Sequence, residues 1–247
     1  MNEVIRSFDE RSNEIDIYLD FLLGLEEQVR IGPPKVGDGP TITAVQQRIL
    51  YSSVYLQLYN LVESTVTKCL SALTAAISRG NQWLPSDLSS ELRREWVRYL
   101  AQTHTDLSYE TRLTNSLKMC NHLINSLPTG RFDIAKGGGG NWDDEEIYRI
   151  SKRLGCALRI TPESSEAAKR PFRDDCGALK LVAKLRNELA HGSVSFSECG
   201  SGTTVRELKD LKWRVATYLT DVISSFNDFI HNYGFLQQDR RPTEALS

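Results

Sequence analysis

Apolar residues recur at helical spacing along most of the chain. In the first segment Val4, Phe8, Ile15, Tyr18, Leu22, Leu25 and Val29 follow in steps of three and four, with Arg11 filling the one polar place in the series. Such steps line up on one face of an α-helix. The spacing therefore predicts a long helix over residues 2–30, stopped by Ile31-Gly32-Pro33-Pro34 and followed by a loop to Pro40. A second long helix is predicted over 42–79, where Ile49, Val54, Leu58, Leu61, Val62, Val66, Leu70, Leu73 and Ile77 form a broad apolar face, and Gly80-Asn81 ends it.

A third helix is expected over 87–103 with Leu88, Leu92, Trp96 and Leu100 as its apolar positions. A fourth, over 108–127, would turn Leu113, Leu117, Cys120, Leu123 and Ile124 inward before Pro128 and Gly130. Residues 128–142 break the pattern, and the run Gly137-Gly138-Gly139-Gly140 marks an irregular, mobile insertion. A short helix over 144–154 is introduced by Asp143 with Glu146 three places on. Residues 155–172 read as a loop with an extended piece at 157–160, and a further helix is predicted over 174–191. Thr204 with Glu207 forms a capping box for the last helix, over 205–233. Strand alternation is nearly absent. The pattern predicts an all-α bundle of long antiparallel helices in one domain over 1–236, with a disordered tail at 237–247.

Composition narrows the function classes. Of 247 residues, 40% are hydrophobic and 25% charged, and the formal net charge is -2. A chain without a basic excess is not built to coat long duplexes, although a few local arginines suffice to grip a few phosphates. Five scattered cysteines form no Cys-x-x-Cys pair and read as reduced thiols rather than a zinc framework. No His/Asp/Glu cluster has ligand spacing, so neither a metal nor another cofactor is expected. No signal-peptide pattern and no apolar run of membrane-spanning length is visible, which predicts a cytoplasmic protein with no membrane contact.

Candidate chemistry concentrates at Arg186-Asn187-Glu188-Leu189-Ala190-His191. An Arg followed by a His at this spacing is a weak signal by itself, because Arg98 and His104 nearly repeat it. That second pair lacks an Asn after its Arg and reads as a solvated helix face. Arg186 differs in being followed at once by Asn187, in an apolar-patterned helix that Gly192 stops. On a helix Asn187 and His191 share a face, whereas Arg186 and His191 lie about 140° apart around the axis. Two copies of the helix across a two-fold axis would bring an Arg and a His together, so a homodimer with a composite site is expected. A His can exchange a proton with a ribose 2′-hydroxyl or a leaving 5′-oxygen. An Arg offers a fork of donors to a phosphate as charge builds on it. The trio therefore suits RNA cleavage without a metal; a helix-capping His and an Arg paired with an acid is the structural alternative.

Other residues bear on this site. Asn60 and Glu63 lie one turn apart in the apolar second helix, and Glu63 is a candidate to support Arg186 or simply to make a structural hydrogen bond. Lys180 and Lys184 precede the motif on its helix and could steer phosphates. Asn141, next to the glycine run, could let RNA approach backbone amides, although the run reads equally as a linker and is no Walker loop. Trp142 and Tyr148 could stack an unpaired base, with core packing as the plainer role.

At these positions the chain resembles the HEPN superfamily, in a prokaryotic branch found in defence and toxin-like gene neighbourhoods. Besides Arg186-Asn187-x-x-x-His191, the resemblance is carried by Leu58-Tyr59-Asn60-Leu61-Val62-Glu63-Ser64-Thr65, by Gly140-Asn141-Trp142-Asp143 and by Leu189-Ala190-His191-Gly192 with Ser195-Phe196. It implies an α-helical fold, dimerisation and metal-independent ribonuclease activity, with Arg186 stabilising phosphate, Asn187 as the polar companion and His191 catalytic. It also leaves open a partner antitoxin or defence-system protein, and a non-catalytic HEPN module that binds RNA or protein. HEPN toxins silenced by adenylylation often carry a Tyr two places after the His; here that position is Ser193, which argues against that mode of silencing.

Overall fold

The computed structural model describes residues 1–103, 105–136 and 141–242. His104 and the Gly137–Gly140 run lie outside the described residues, as do positions 243–247 of the expected tail. Among the described residues the structure is helical, with isolated bridges such as Leu88 with Leu236 in place of strands.

Three long helices make the frame: α1 (Asn2–Val29), α2 (Ala44–Ser78) and α9 (Val205–His231). Their mutual direction follows from their pairings. Glu3 meets Lys68 while Tyr18 donates to the Leu50 carbonyl, so α1 and α2 run antiparallel. Asp16 pairs with Lys212, Asp20 with Lys209, and Glu26 accepts from the Val205 amide, so α1 and α9 are antiparallel too. α2 sits at the centre and touches α1, α7, α8 and α9, which is why it is apolar around most of its circumference. Leu58, Val62, Val66, Leu73, Leu19, Leu22, Leu219 and Val222 are fully buried in one continuous core. Each such side chain contributes about 1.5–3 kcal/mol through removal from water.

The short helices are α3 (Ser90–Ala101), α4 (Tyr109–Ile124), α5 (Asp144–Arg153), α6 (Pro162–Lys169), α7 (Ala178–Ala190) and α8 (Phe196–Cys199). Two of them depart from the sequence pattern by existing at all. α6 lies in the expected loop at 155–172; Thr161 caps it by accepting from the Ser164 amide and Pro162 opens its first turn. α8 is one turn with a full Ser195–Glu198 capping box. Ahead of α6, residues 156–161 run along α9, with the Arg159 amide donating to Ser225 and the Thr161 amide to Asp221. α7 begins four residues later than its pattern suggests. Asp174 and Asp175 adopt φ of 52° and 53°, a turn closed between Phe172 and Cys176 that no helix can continue through.

α4 overturns an expectation. Its leucines point away from the body: Leu117 is 55% exposed and Ile124 77%, with Leu113, Cys120 and Leu123 also exposed. The polar side is the one that packs. Asn115 is buried, and His122 meets the Trp96 ring of α3 edge-on with centroids 5.1 Å apart. The helix period was legible, but the face in contact was set by what α3 offers. The carboxylate of Glu95 in α3, almost fully buried, pairs with Arg98 of the same helix and with Arg153 of α5. At the C-terminal end Gln238–Arg240 forms a single 3-10 turn, and the Gln237 amide donates to the Asp87 carbonyl.

Candidate active site

α7 presents two different sides to two different environments. Lys180, Lys184, Asn187 and His191 are spaced four, three and four apart and share the outer side. Arg186 turns inward, where its guanidinium lies 3.8 Å above the ring of Tyr59 on α2. Tyr59 is itself buried, and its hydroxyl accepts from the Trp142 amide at 3.4 Å. That contact holds the Asn141-Trp142 segment against α2, with Trp142 only 1% exposed in the core. Asn141 thereby reaches both sides of α7 at once. Its carboxamide oxygen accepts from Asn187 Nδ2 at 2.8 Å and from Arg186 Nη2 at 3.4 Å.

The end of α7 places His191. The helix closes with the Gly192 amide on the Leu189 carbonyl and the Ser193 amide on the Glu188 carbonyl, a Schellman arrangement. It needs Gly192 at φ +70°, a left-handed conformation that glycine enters freely. His191 is the capping residue just before this reversal and is exposed. Its imidazole makes no hydrogen bond among the described residues, one turn beyond Asn187.

The structure thus brings Arg186, Asn187 and Asn141 into one hydrogen-bonded group, with His191 on the adjacent outer face. No hydrogen bond or ion pair joins Arg186 to His191 among the described residues. On α2, Asn60 is exposed and Glu63 half-buried. Neither makes a hydrogen bond or ion pair with Arg186 among the described residues; the residue of that segment that does touch Arg186 is Tyr59. Lys184 is tied to Asp174 at 2.9 Å, a pairing that raises the lysine pKa and lowers the aspartate's. Lys180 is exposed and borders a separate cleft. Tyr148 is exposed as well, while Trp142 is core.

Tyr59 is the neighbour of Arg186 that periodicity missed. An apolar-face tyrosine in α2 looks like any other core aromatic, and only its place in the Leu58–Thr65 segment set it apart.

Compared with protein families, residues 1–235 match the family described as MAE_28990-like HEPN. The chain belongs to this HEPN family. The match spans the whole helical frame together with the Arg186–His191 segment and the Asn141 turn. Comparisons with curated proteins and with solved structures give no match. Among the described residues of this HEPN protein, no cluster of His, Cys, Asp or Glu has the geometry to hold a metal ion, and no helix is long and apolar enough to cross a membrane.

Proposed function

We propose that this HEPN protein is a metal-independent endoribonuclease that cleaves single-stranded or loop RNA, in antiviral defence or as the toxin of a toxin–antitoxin pair. The observation that carries the reading is the organisation around Asn141. One carboxamide oxygen fixes Asn187 and an edge of Arg186, while the Tyr59 ring sets the plane of the guanidinium. Phosphoryl transfer without a metal needs a fixed cation and a proton-exchanging group, and Arg186 is fixed here while His191 is exposed on the same helix end. HEPN domains are often ribonucleases, which supports the same reading.

In the proposed reaction the ribose 2′-oxygen attacks the adjacent phosphorus and the bond from phosphorus to the 5′-oxygen breaks. The products are a 2′,3′-cyclic phosphate and a 5′-hydroxyl. His191 takes the 2′-hydroxyl proton or returns one to the leaving oxygen. Arg186 donates to the non-bridging oxygens as their charge grows. The proposed site is complete only in a homodimer, in which His191 of one copy comes to Arg186 of the other across a two-fold axis.

Purified protein incubated with total RNA in EDTA tests this directly. Cleavage by the native protein is expected, falling about 10²- to 10³-fold in Arg186→Ala and comparably in His191→Ala. Cleavage that survives both substitutions would remove the site assignment. No cleavage by the dimeric, partner-free protein would favour a HEPN module that binds RNA or protein without cutting it.

A further inference from the structure

A second cavity opens two turns up α7 from Asn187, between α5, α6, α7 and α9. Its volume is about 440 Å³, and Asp144, Tyr148, Ser165, Lys169, Lys180 and Tyr218 supply its polar and aromatic lining. The walls are firmly built. Arg214 of α9, itself buried, donates to the Arg170 carbonyl at 3.1 Å and pairs with Asp210, which ties the end of α6 to α9. The carbonyl of Ala168 approaches Gly177 so closely that a Cβ there would lie 2.5 Å from it, so α6 and α7 meet without room for a side chain.

Tyr218, 5% exposed as a residue, lines this cavity and makes no side-chain hydrogen bond to another described residue. The hydroxyl is open to solvent rather than sealed in the core, so an acceptor on a ligand can take the place of water there. Asp144 stands close enough to Tyr218 to influence its ionisation, and burial pushes the Asp144 carboxyl above the ordinary aspartate value, with a hydrogen bond from its own backbone amide and, less strongly, Lys169 acting the other way. A carboxylate that has lost water gains most from a ligand that brings donors to both oxygens. At the rim Tyr148 exposes 58% of its surface, a flat face on which a base can stack. Lys169 and Lys180, both exposed, belong to the same lining and can meet a phosphate, and the exposed Glu145 lines it too.

We propose that this cavity binds an unpaired guanine of the RNA substrate, with Asp144 and Tyr218 reading the base and Tyr148 stacking on it. Among the four RNA bases, guanine alone sets two donors, N1–H and the 2-amino group, side by side on one edge, matching the two oxygens of one carboxylate. Its O6, next to N1–H, is the acceptor that the Tyr218 hydroxyl suits. Adenine and cytosine put a donor beside an acceptor there. Lys180 lies seven residues from Asn187 and eleven from His191 on the same side of α7, about 10 and 16 Å along the axis. At roughly 3.4 Å per stacked nucleotide, that places the guanine about three to five nucleotides from the phosphate that is cut. The assignment of RNA as the ligand's source rests on the ribonuclease reading.

Titrating the 5′-monophosphates of guanosine, adenosine, cytidine and uridine by calorimetry, each with native protein, tests the base preference without requiring cleavage. Guanosine monophosphate is expected to bind about ten- to a hundredfold more tightly than the other three. Asp144→Asn should remove the preference, and it leaves the α5 cap intact because Asp143 supplies that. Tyr218→Phe and the exposed Tyr148→Ala should each weaken guanosine monophosphate several-fold, and Arg186→Ala should leave it unchanged. Equal binding of all four nucleotides, or a guanine preference that persists in Asp144→Asn, would overturn the proposal. Absence of RNA cleavage with guanine binding retained would instead count against the ribonuclease reading alone.

Discussion

Tyr59 holds Arg186 by its face, and Asn141 holds it by an edge. These two contacts help orient a side chain with four rotatable torsions, so their loss should appear in rate before it appears in folding. A cation–π contact of this kind contributes about 0.5–2 kcal/mol. Tyr59→Leu should therefore slow RNA cleavage by roughly 2- to 30-fold in initial-rate measurements, while Tyr59→Phe keeps most of the rate because the ring remains. A Leu variant as fast as the native protein would deny the ring any role. Gly192 acts on the other half of the site. A Cβ there would meet nothing within 4 Å, so the cost of Gly192→Ala is purely that of φ +70°. Urea denaturation should show a loss of about 1 kcal/mol. A neutral result would mean that the helix end relaxes and carries His191 with it.

At the scale of elements, amphipathic periodicity and packing come apart most clearly in α3 and α4. Both carry leucines at helical spacing, but Leu92 of α3 is fully buried and Leu117 of α4 is not. Leu92→Ala should cost about 2–5 kcal/mol in thermal or chemical unfolding, whereas Leu117→Ser should stay within about 0.5 kcal/mol. Comparable losses at both sites would mean that α4 buries its leucines in solution. The ion pairs of Glu95 join α3 to α5 from inside. Glu95→Ala leaves the Arg98 and Arg153 guanidiniums without their shared acid, and breaking a buried pair in this way typically costs about 3–5 kcal/mol.

For the whole molecule, the separation of Arg186 and His191 on α7 would make the proposed catalysis a property of the assembly. If each site takes Arg186 from one copy and His191 from the other, then Arg186→Ala and His191→Ala proteins, each inactive alone, should restore activity when mixed and allowed to exchange. Random pairing makes half the dimers mixed, each with one intact site of two, so about a quarter of native activity is expected. No restoration, under conditions where exchange is shown by labelled subunits, would place both groups of each site in one chain.

Much of this arrangement was already present along the chain. The three- and four-residue steps of apolar side chains determine α1, α2 and α9, because a helix of that length buries one stripe whatever its neighbours are. The Thr204–Glu207 box and Gly192 determine local ends, since capping is decided within a single turn. The motif of Arg186, Asn187 and His191 was legible for the same reason: it lies within one helix and its cap. What the sequence could not supply was contact between distant segments. That Tyr59 of α2 lies under Arg186 and that Asn141 bridges it to Asn187 were decided by chain closure over tens of residues, as were the solvent-facing leucines of α4. Periodicity states which side of a helix is apolar, but only the competition among all the helices for one core decides which sides meet.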